Sequence, residues 1–260
     1  MGLWDKATAP FLPDRDYLPV AMPTTDVQVL QVLTRDGKAL RRYSDLARIV
    51  HGPAQPPVMA RDQAVVQASG SATSNAKIGL GLNVVSSVIR ALGGDAGLDV
   101  TVERAASVEY GYSDVVADRV DLASLDEWLA RAVLNPDLRN AADLIGAEEV
   151  YVVVGALKAR AIEVRLLDAS SNAVEVDVPA IQAAVGGKVT VSGGANRSSR
   201  MTFRGETPLT VAAKAAQLRL GDTGLWVNER LRTDGEIREV FGDNPDGGYT
   251  FLAGDELELG

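Results

Sequence analysis

Residues 149–205, EVYVVVGALKARAIEVRLLDASSNAVEVDVPAIQAAVGGKVTVSGGANRSSRMTFRG, decide the fold. They open on Val150-Tyr151-Val152-Val153-Val154, a β-branched and aromatic run with the composition of a strand. From Leu157 the chain alternates: Leu157, Ala159 and Ala161 against Lys158 and Arg160, then Ile162, Val164 and Leu166 against Glu163 and Arg165. The phase slips once, between Ala161 and Ile162, as it does at a β-bulge. Asp168 to Asn172 is a turn signal, after which Val174, Val176 and Val178 alternate with Glu175 and Asp177 as far as Pro179. A short helical piece over 180–185 runs into Gly186-Gly187. Then Val189 and Val191, and beyond them Met201 and Phe203, alternate with polar residues. The pattern is a long β ribbon with one apolar and one charged face. It carries no nucleophile–base set, no metal-ligand spacing and no phosphate loop, so it acts through shape and surface.

Composition narrows the rest. A chain of 260 residues with 46% hydrophobic and 23% charged residues has material for one substantial core and is neither disordered nor a helical membrane protein. No run approaches the roughly 18 apolar residues of a spanning helix. Met1-Gly2-Leu3-Trp4-Asp5-Lys6 lacks the apolar segment of a secretory signal. The absence of cysteine excludes disulfides, thiol catalysis and cysteine-held metals, and fits a cytoplasmic setting. The one histidine, His51, lies in a Gly-Pro-rich loop without a partner histidine and reads as solvated. The residues therefore call for no cofactor, no metal and no catalytic group.

Ahead of the ribbon, residues 1–25 are proline-rich, with Tyr17, Leu18 and Val20 free to dock. Val27–Leu33 reads as a strand turning at Arg35-Asp36-Gly37-Lys38 into a return from Leu40. Ser44 caps a short helix over 45–50, 64–68 reads as a short strand, and 69–75 as flexible. Residues 77–92 have helical length, with Ile78, Leu82 and Val85 on one face; the Gly79–Gly81 pair lacks the strand and third glycine of a dinucleotide loop. Leu98, Val100 and Val102 open a second alternating strand that continues to Tyr110. Ser124-Leu125-Asp126-Glu127 reads as a capping box starting a helix through Val133, and 137–145 as another helix. Glu206-Thr207-Pro208 reads as a turn, and 209–220 as the last strand of the body. These elements make an α+β fold: a twisted, mainly antiparallel central sheet with flanking helices.

Charge is unevenly spread. Residues 221–260 hold ten acids against three arginines, a net −7 of the chain's −9. Residues 150–204 hold seven bases against four acids, a net +3. A basic ribbon is thus followed by an acidic tail, and the acidic total disfavours nucleic-acid binding. Arg230, Arg232 and Arg238 surround the polar stretch Thr233-Asp234-Gly235, suited to proteolysis. Phe241, Tyr249, Phe251, Leu252 and Leu257 make the tail too apolar to stay free, and 249–252 could add an edge strand. The bland outcome for alternating ribbons is a soluble sheet with one solvated face.

The residues Asn135-Pro136, Asp143-Leu144-Ile145, Glu148–Val152, Asp177-Val178-Pro179-Ala180-Ile181-Gln182, Val185–Val189, Met201–Gly205 and Pro208-Leu209, in that order and spacing, resemble the bacterial gasdermins. The likeness covers roughly residues 15–220. It implies a gasdermin-like pore-forming domain (1–225) kept soluble by a C-terminal inhibitory peptide with its cleavage linker (226–260). A caspase-like or trypsin-like protease would remove the peptide. The body would then leave the cytoplasm, insert β-hairpins into the inner membrane, assemble a large ring of copies and kill the cell as an anti-phage defence. On this reading Arg232 and Arg238 are the candidate cleavage sites, and Phe241, Tyr249, Phe251, Leu252 and Leu257 hold the tail to the body. The inserting ribbons use Ile78, Leu82, Val85, Leu98, Val100, Val102, Leu157, Ile162, Val164, Val189 and Val191, while Lys158, Arg160, Arg165 and Lys188 meet lipid headgroups. The family's palmitoylated N-terminal cysteine has no counterpart, and Lys6 stands where a myristoylation signal wants Ser or Thr. Small residues over 209–214 also depart from the aromatic-glycine pattern of the resemblance. The competing reading is a soluble protein-interaction module in which the tail is a structurally docked strand.

Overall fold

The computed structural model describes residues 17–36, 39–65, 72–77, 107–168, 170, 172–184, 189–222, 224–228 and 239–241. Its body is one large, mainly antiparallel sheet. The strands are β1 (Leu18–Thr24), β2 (Gln31–Asp36), β3 (Ala39–Asp45), β5 (Met59–Ala64), β6 (Ala72–Lys77), β7 (Ser107–Val120), β9 (Val150–Leu167), β11 (Val189–Gly193), β13 (Arg200–Gly221), β14 (Gly224–Asn228) and β15 (Glu239–Phe241). Two small pairs, β4 (Val50–His51) with β8 (Val133–Leu134) and β10 (Val176–Asp177) with β12 (Arg197–Ser198), lie outside it. Helices α1 (Leu46–Ile49), α2 (Leu122–Leu129), α3 (Arg139–Gly146) and α4 (Val178–Ala184) complete the α+β class expected from the sequence.

The sheet runs β11-β13-β1-β15-β3-β2-β9-β7-β5, and β9 also pairs with β13. The path from β13 through β1, β15, β3 and β2 to β9 therefore closes on itself as a ring of six strands. This closure explains the run of valines at the start of β9. Val150, Val152 and Val154 pack with Leu125, Leu129 and Ile145 of α2 and α3, whereas Tyr151 and Val153 pack inside the ring with Val20, Leu33 and Leu40. Successive residues of a strand face opposite sides, and here both sides are covered, so the sequence is apolar without alternation. On β13 the small residues over 209–216 have the same cause. Ala213 and Ala215 face the ring interior and Ala216 the helices, all fully buried, where a short side chain lets neighbouring strands close up.

Beyond Gly155 the cover becomes one-sided and the alternation appears. Leu157, Ala159, Ile162, Val164 and Leu166 are buried, and Lys158, Arg160, Glu163 and Arg165 between them are half-buried. The phase slip at Ala161–Ile162 is present in this burial pattern, but the extra residues lie on the partner strand. Pairing of β9 with β7 runs without a break, while β13 jumps from Arg204↔Ala161 to Leu209↔Ala159. The segment Glu206-Thr207-Pro208 is thus a bulge inside a 22-residue strand and not a turn. Pro208, which has no N–H to give a ladder, is accommodated there.

Other expectations shift for local reasons. Helix α2 starts at Leu122 because Asp121, not Ser124, is its cap: the Asp121 carboxylate accepts from the Ser124 N–H at 2.8 Å. The Ser124 hydroxyl instead accepts from the Val58 N–H at 2.6 Å. The helix ends at Leu129, and Val133 belongs to β8. Of the strand expected over 64–68, Ala64 ends β5 and 66–68 lie outside the described residues, while 72–75 of the segment read as flexible belong to β6, which pairs with β7. Strand β7 extends ten residues past Tyr110, and β14 follows the strand expected to be last. The helix expected over 77–92 begins at Lys77, the end of β6, and its other residues lie outside the described ones.

Candidate functional site: the tail strand and the ribbon

The tail enters the body as an interior strand. Strand β15 lies between β1 and β3 and runs parallel to both, with Val240 in register with Val20 on one side and Leu40 on the other. Glu239 and Phe241 are in register with Ala39 and Arg41. Val20 and Leu40 are 1% and 0% exposed, so the slot that receives the tail is built on fully buried residues. Each residue of an inner strand can have its backbone paired on both sides. Among the described residues, this short strand is what bridges the edges of β1 and β3.

The ribbon forms the second part of the site. Leu157, Ile162, Val164, Val189 and Val191, five of the residues expected to enter a membrane, share one buried cluster with Met201 and Phe203. Helix α4 covers that cluster through Val178 and Ile181. Asp177 caps the helix by accepting from the Ala180 N–H at 2.9 Å. The Gln182 side-chain oxygen accepts from the Val191 N–H, tying α4 to β11. Gly193 is required by the same contact, because a Cβ there would stand 2.9 Å from a Val178 methyl. The ribbon's apolar face is therefore turned inward under a helix.

Its charged face is neutralised strand by strand. The Lys158 Nζ lies 2.8 Å from Asp118 and 3.0 Å from Asp62, with Asp118 nearly buried. Hydrogen bonding from Lys158, reinforced by its charge, holds the Asp62 carboxyl below its usual range. Arg200 pairs with Glu163 at 3.2 Å and Arg204 with Asp114 at 3.1 Å. Asp62, Asp114 and Glu148 all have positive φ (51°, 57° and 62°), and each holds a cation of another strand; for Glu148 it is Arg219, at 2.7 Å. Asp tolerates this left-handed conformation better than most residues, and each pair fixes an irregular point of the sheet.

Of the residues singled out in the sequence, Lys158 is thus engaged in ion pairs, Arg160 and Arg165 are half-buried on the ribbon, and Phe241 pairs through its backbone with Arg41. Ile78, Leu82, Val85, Leu98, Val100, Val102, Lys188, Arg232, Arg238, Tyr249, Phe251, Leu252 and Leu257 lie outside the described residues. Strand β1 was not legible. Its two prolines and short length hide it, and only the apolar Tyr17, Leu18 and Val20 hint that the segment docks. Among the described residues no cluster of three His, Asp or Glu could hold a metal. An open cavity of about 240 Å³ is lined mostly by apolar side chains, among them Val29, Leu46, Pro57 and Trp128, and brings no nucleophile to a base.

The model of the Bacterial Gasdermin Family matches residues 20–230. A gasdermin of Lysobacter enzymogenes is 32% identical over 239 residues, covering 86% of this chain and 88% of its own length. A gasdermin of a Desulfuromonadales bacterium is 29% identical over 248 residues, covering 94% and 93%. Among solved structures, a bacterial gasdermin from Bradyrhizobium tropiciagri aligns with a TM-score of 0.43 at 13% identity, over 87% of this chain and 93% of its own.

Proposed function

The chain belongs to the bacterial gasdermin family, and from that premise we propose that it is a pore-forming protein held inactive by its own C-terminal tail and released by proteolysis. The observation that carries this reading is β15: a segment beyond the body's last hairpin supplies a strand to the middle of the body's sheet. The cut falls between Leu231 and Phe241, where Arg232 and Arg238 are the candidates for a trypsin-like or caspase-like protease. A cut before Glu239 leaves the inhibitory strand held by non-covalent contacts alone.

Strand length and membrane physics support insertion after release. Backbone groups find no partners in a bilayer, so strands cross it only in a closed barrel, each needing about 9–11 residues. Strands β7, β9 and β13 have 14, 18 and 22 residues. One subunit offers too few ribbons to close a wide barrel, so insertion is coupled to assembly of many copies in a ring. The covered apolar face must first leave α4, and Lys158 must exchange its carboxylates for lipid phosphates. Loss of the acidic tail favours that exchange at an anionic surface. The protein is accordingly cytoplasmic while inhibited and acts at the inner membrane after cleavage, where the pore kills the cell in defence against phage. No enzymatic step is part of this function.

The test is dye release from anionic liposomes by the full chain carrying an engineered protease site within 230–236, before and after cutting. Release confined to the cut protein, with rings seen by electron microscopy, is the expected result. Cut protein that stays folded and leaves the vesicles sealed overturns the reading. That outcome would favour the interaction-module alternative, in which β15 is a structural strand and has no inhibitory role.

A further inference from the structure

Among the described residues, β15 pairs with β1 and β3 and with none of the long ribbon strands β7, β9 and β13. The tail must therefore act on the ribbon through a neighbour, and its two neighbours are held very differently. Strand β3 is zipped to β2 along its length, from Asp36↔Ala39 to Gln31↔Asp45. Strand β1 meets β13 only at Leu18↔Ala213, Pro19↔Ala212 and Thr24↔Thr210, with the register broken between Pro19 and Thr24. Pro19 and Pro23 have no N–H for either neighbour. Within the break, Val20 is in register with Val240 of the tail. The residue before β1 reaches further: Tyr17, 4% exposed, lies over Gly155 in the middle of β9, where an added Cβ would stand 2.7 Å from the Tyr17 hydroxyl oxygen.

We infer that β1 is the relay of inhibition: withdrawal of β15 unseats β1, and with it Tyr17, from β13 and β9, while β3 stays in place. The tail strand then clamps a loosely held N-terminal strand, and that strand in turn clamps the ribbon at its glycine. This inference rests on the inhibitory role proposed for the tail, but its primary test does not use membranes.

Hydrogen exchange read by mass spectrometry compares the full chain with an engineered site within 230–236 before cutting, after cutting and removal of the tail fragment, and as the uncut Val240→Pro variant. Proline removes the tail's central N–H without cleavage. Exchange over 17–24 should accelerate by about a hundredfold in both altered forms, because a strand with few remaining pairs opens locally. The amides of β3 should change by less than about tenfold. Unchanged protection of 17–24 with the tail gone, or equal loss in β1 and β3, overturns the inference. A second arm uses the absence of cysteine from the chain. Leu18→Cys with Ala213→Cys, oxidised, pins β1 to β13. After cutting, the pinned protein should release dye at least about tenfold more slowly than the same protein reduced. Where the cut, reduced protein does leak, equal release in the two redox states also overturns it. If exchange over 17–24 rises while every form leaves vesicles sealed, the pore reading fails and the relay stands. If cut protein leaks with β1 still protected, the relay fails and the pore reading stands.

Discussion

Strands β9 and β13 hold each other from Arg165↔Arg200 to Tyr151↔Gln217, whereas the tail holds β1 and β3 with a strand of three residues. Both closures belong to one sheet, and both are backed by fully buried side chains. The long ladder is antiparallel, supplied with large apolar groups and covered by α4; the short closure is parallel, made by a distant part of the chain, and interrupted on β1 by prolines. Parallel pairing is also slightly the weaker kind per residue. The comparison teaches where cooperativity ends. In water the long ladder should open only with global unfolding, whereas withdrawal of a three-residue strand breaks far fewer pairs.

The largest effect that would break this comparison is at the ribbon's centre. Phe203 is fully buried among Val164, Val191 and Met201, and Phe203→Ala should cost about 3–5 kcal/mol of global stability. For a chain of this size that is a drop in melting temperature on the order of 10 °C. A variant that melts like the wild type would mean that the ribbon is not part of the cooperative core. Next comes the ion pair that spans β7 and β9. Lys158→Met leaves Asp118 buried without its cation, at a cost of about 3 kcal/mol in urea unfolding. Adding Asp118→Leu should restore most of the loss, because an apolar pair of similar volume removes the uncompensated charge. A double variant as unstable as the single one would show that the carboxylate serves another partner, such as the Asp62 N–H it accepts from at 2.9 Å.

Smaller, and outside both closures, is the cap of α2. Asp121→Ala should cost about 1 kcal/mol in the same urea measurement, and Ser124→Ala clearly less at the helix terminus itself. The reverse order would reinstate Ser124 as the cap. The pair also shows what the sequence makes legible. Ser124-Leu125-Asp126-Glu127 matches the capping-box pattern, whereas Asp121 one turn earlier is an equally good N-cap residue without that pattern, and only the approach of Val58 settles which oxygen is free. The ribbon was legible because its period of two records one-sided burial over many residues. The ring was not, because a strand covered on both faces loses its alternation, and because no local pattern in Glu239-Val240-Phe241 names Val20 and Leu40 as its neighbours. The phase change at Ala161–Ile162 marks an irregularity in this part of the sheet but misplaces it: those two residues are in regular register with Arg204 and Phe203, and the extra residues, ending at Pro208, are on β13 opposite Arg160.

The finest test of the ribbon's electrostatic closure is a dependence on pH at Asp62. This carboxylate is half-exposed on β5, faces Lys158 from β9 and Asp118 from β7, and feels Arg61 and Arg160. Its pKa is lowered on folding, so the folded state binds a proton there less readily than the unfolded chain. The stability it contributes is then fully present above its unfolded value, near 3.8, and is lost as the pH falls through the lower folded value. Asp62→Asn abolishes that dependence and leaves the pair of Lys158 with Asp118 in place. At pH 7 the wild type should exceed the variant by no more than about 1 kcal/mol, since an exposed partner is screened by water. The gap should narrow as the pH is taken below the unfolded value. A gap that stays constant with pH would assign Asp62 to the backbone bulge alone, where its φ of 51° already sets it apart, and would leave Asp118 as the sole ionic partner holding Lys158 within the sheet.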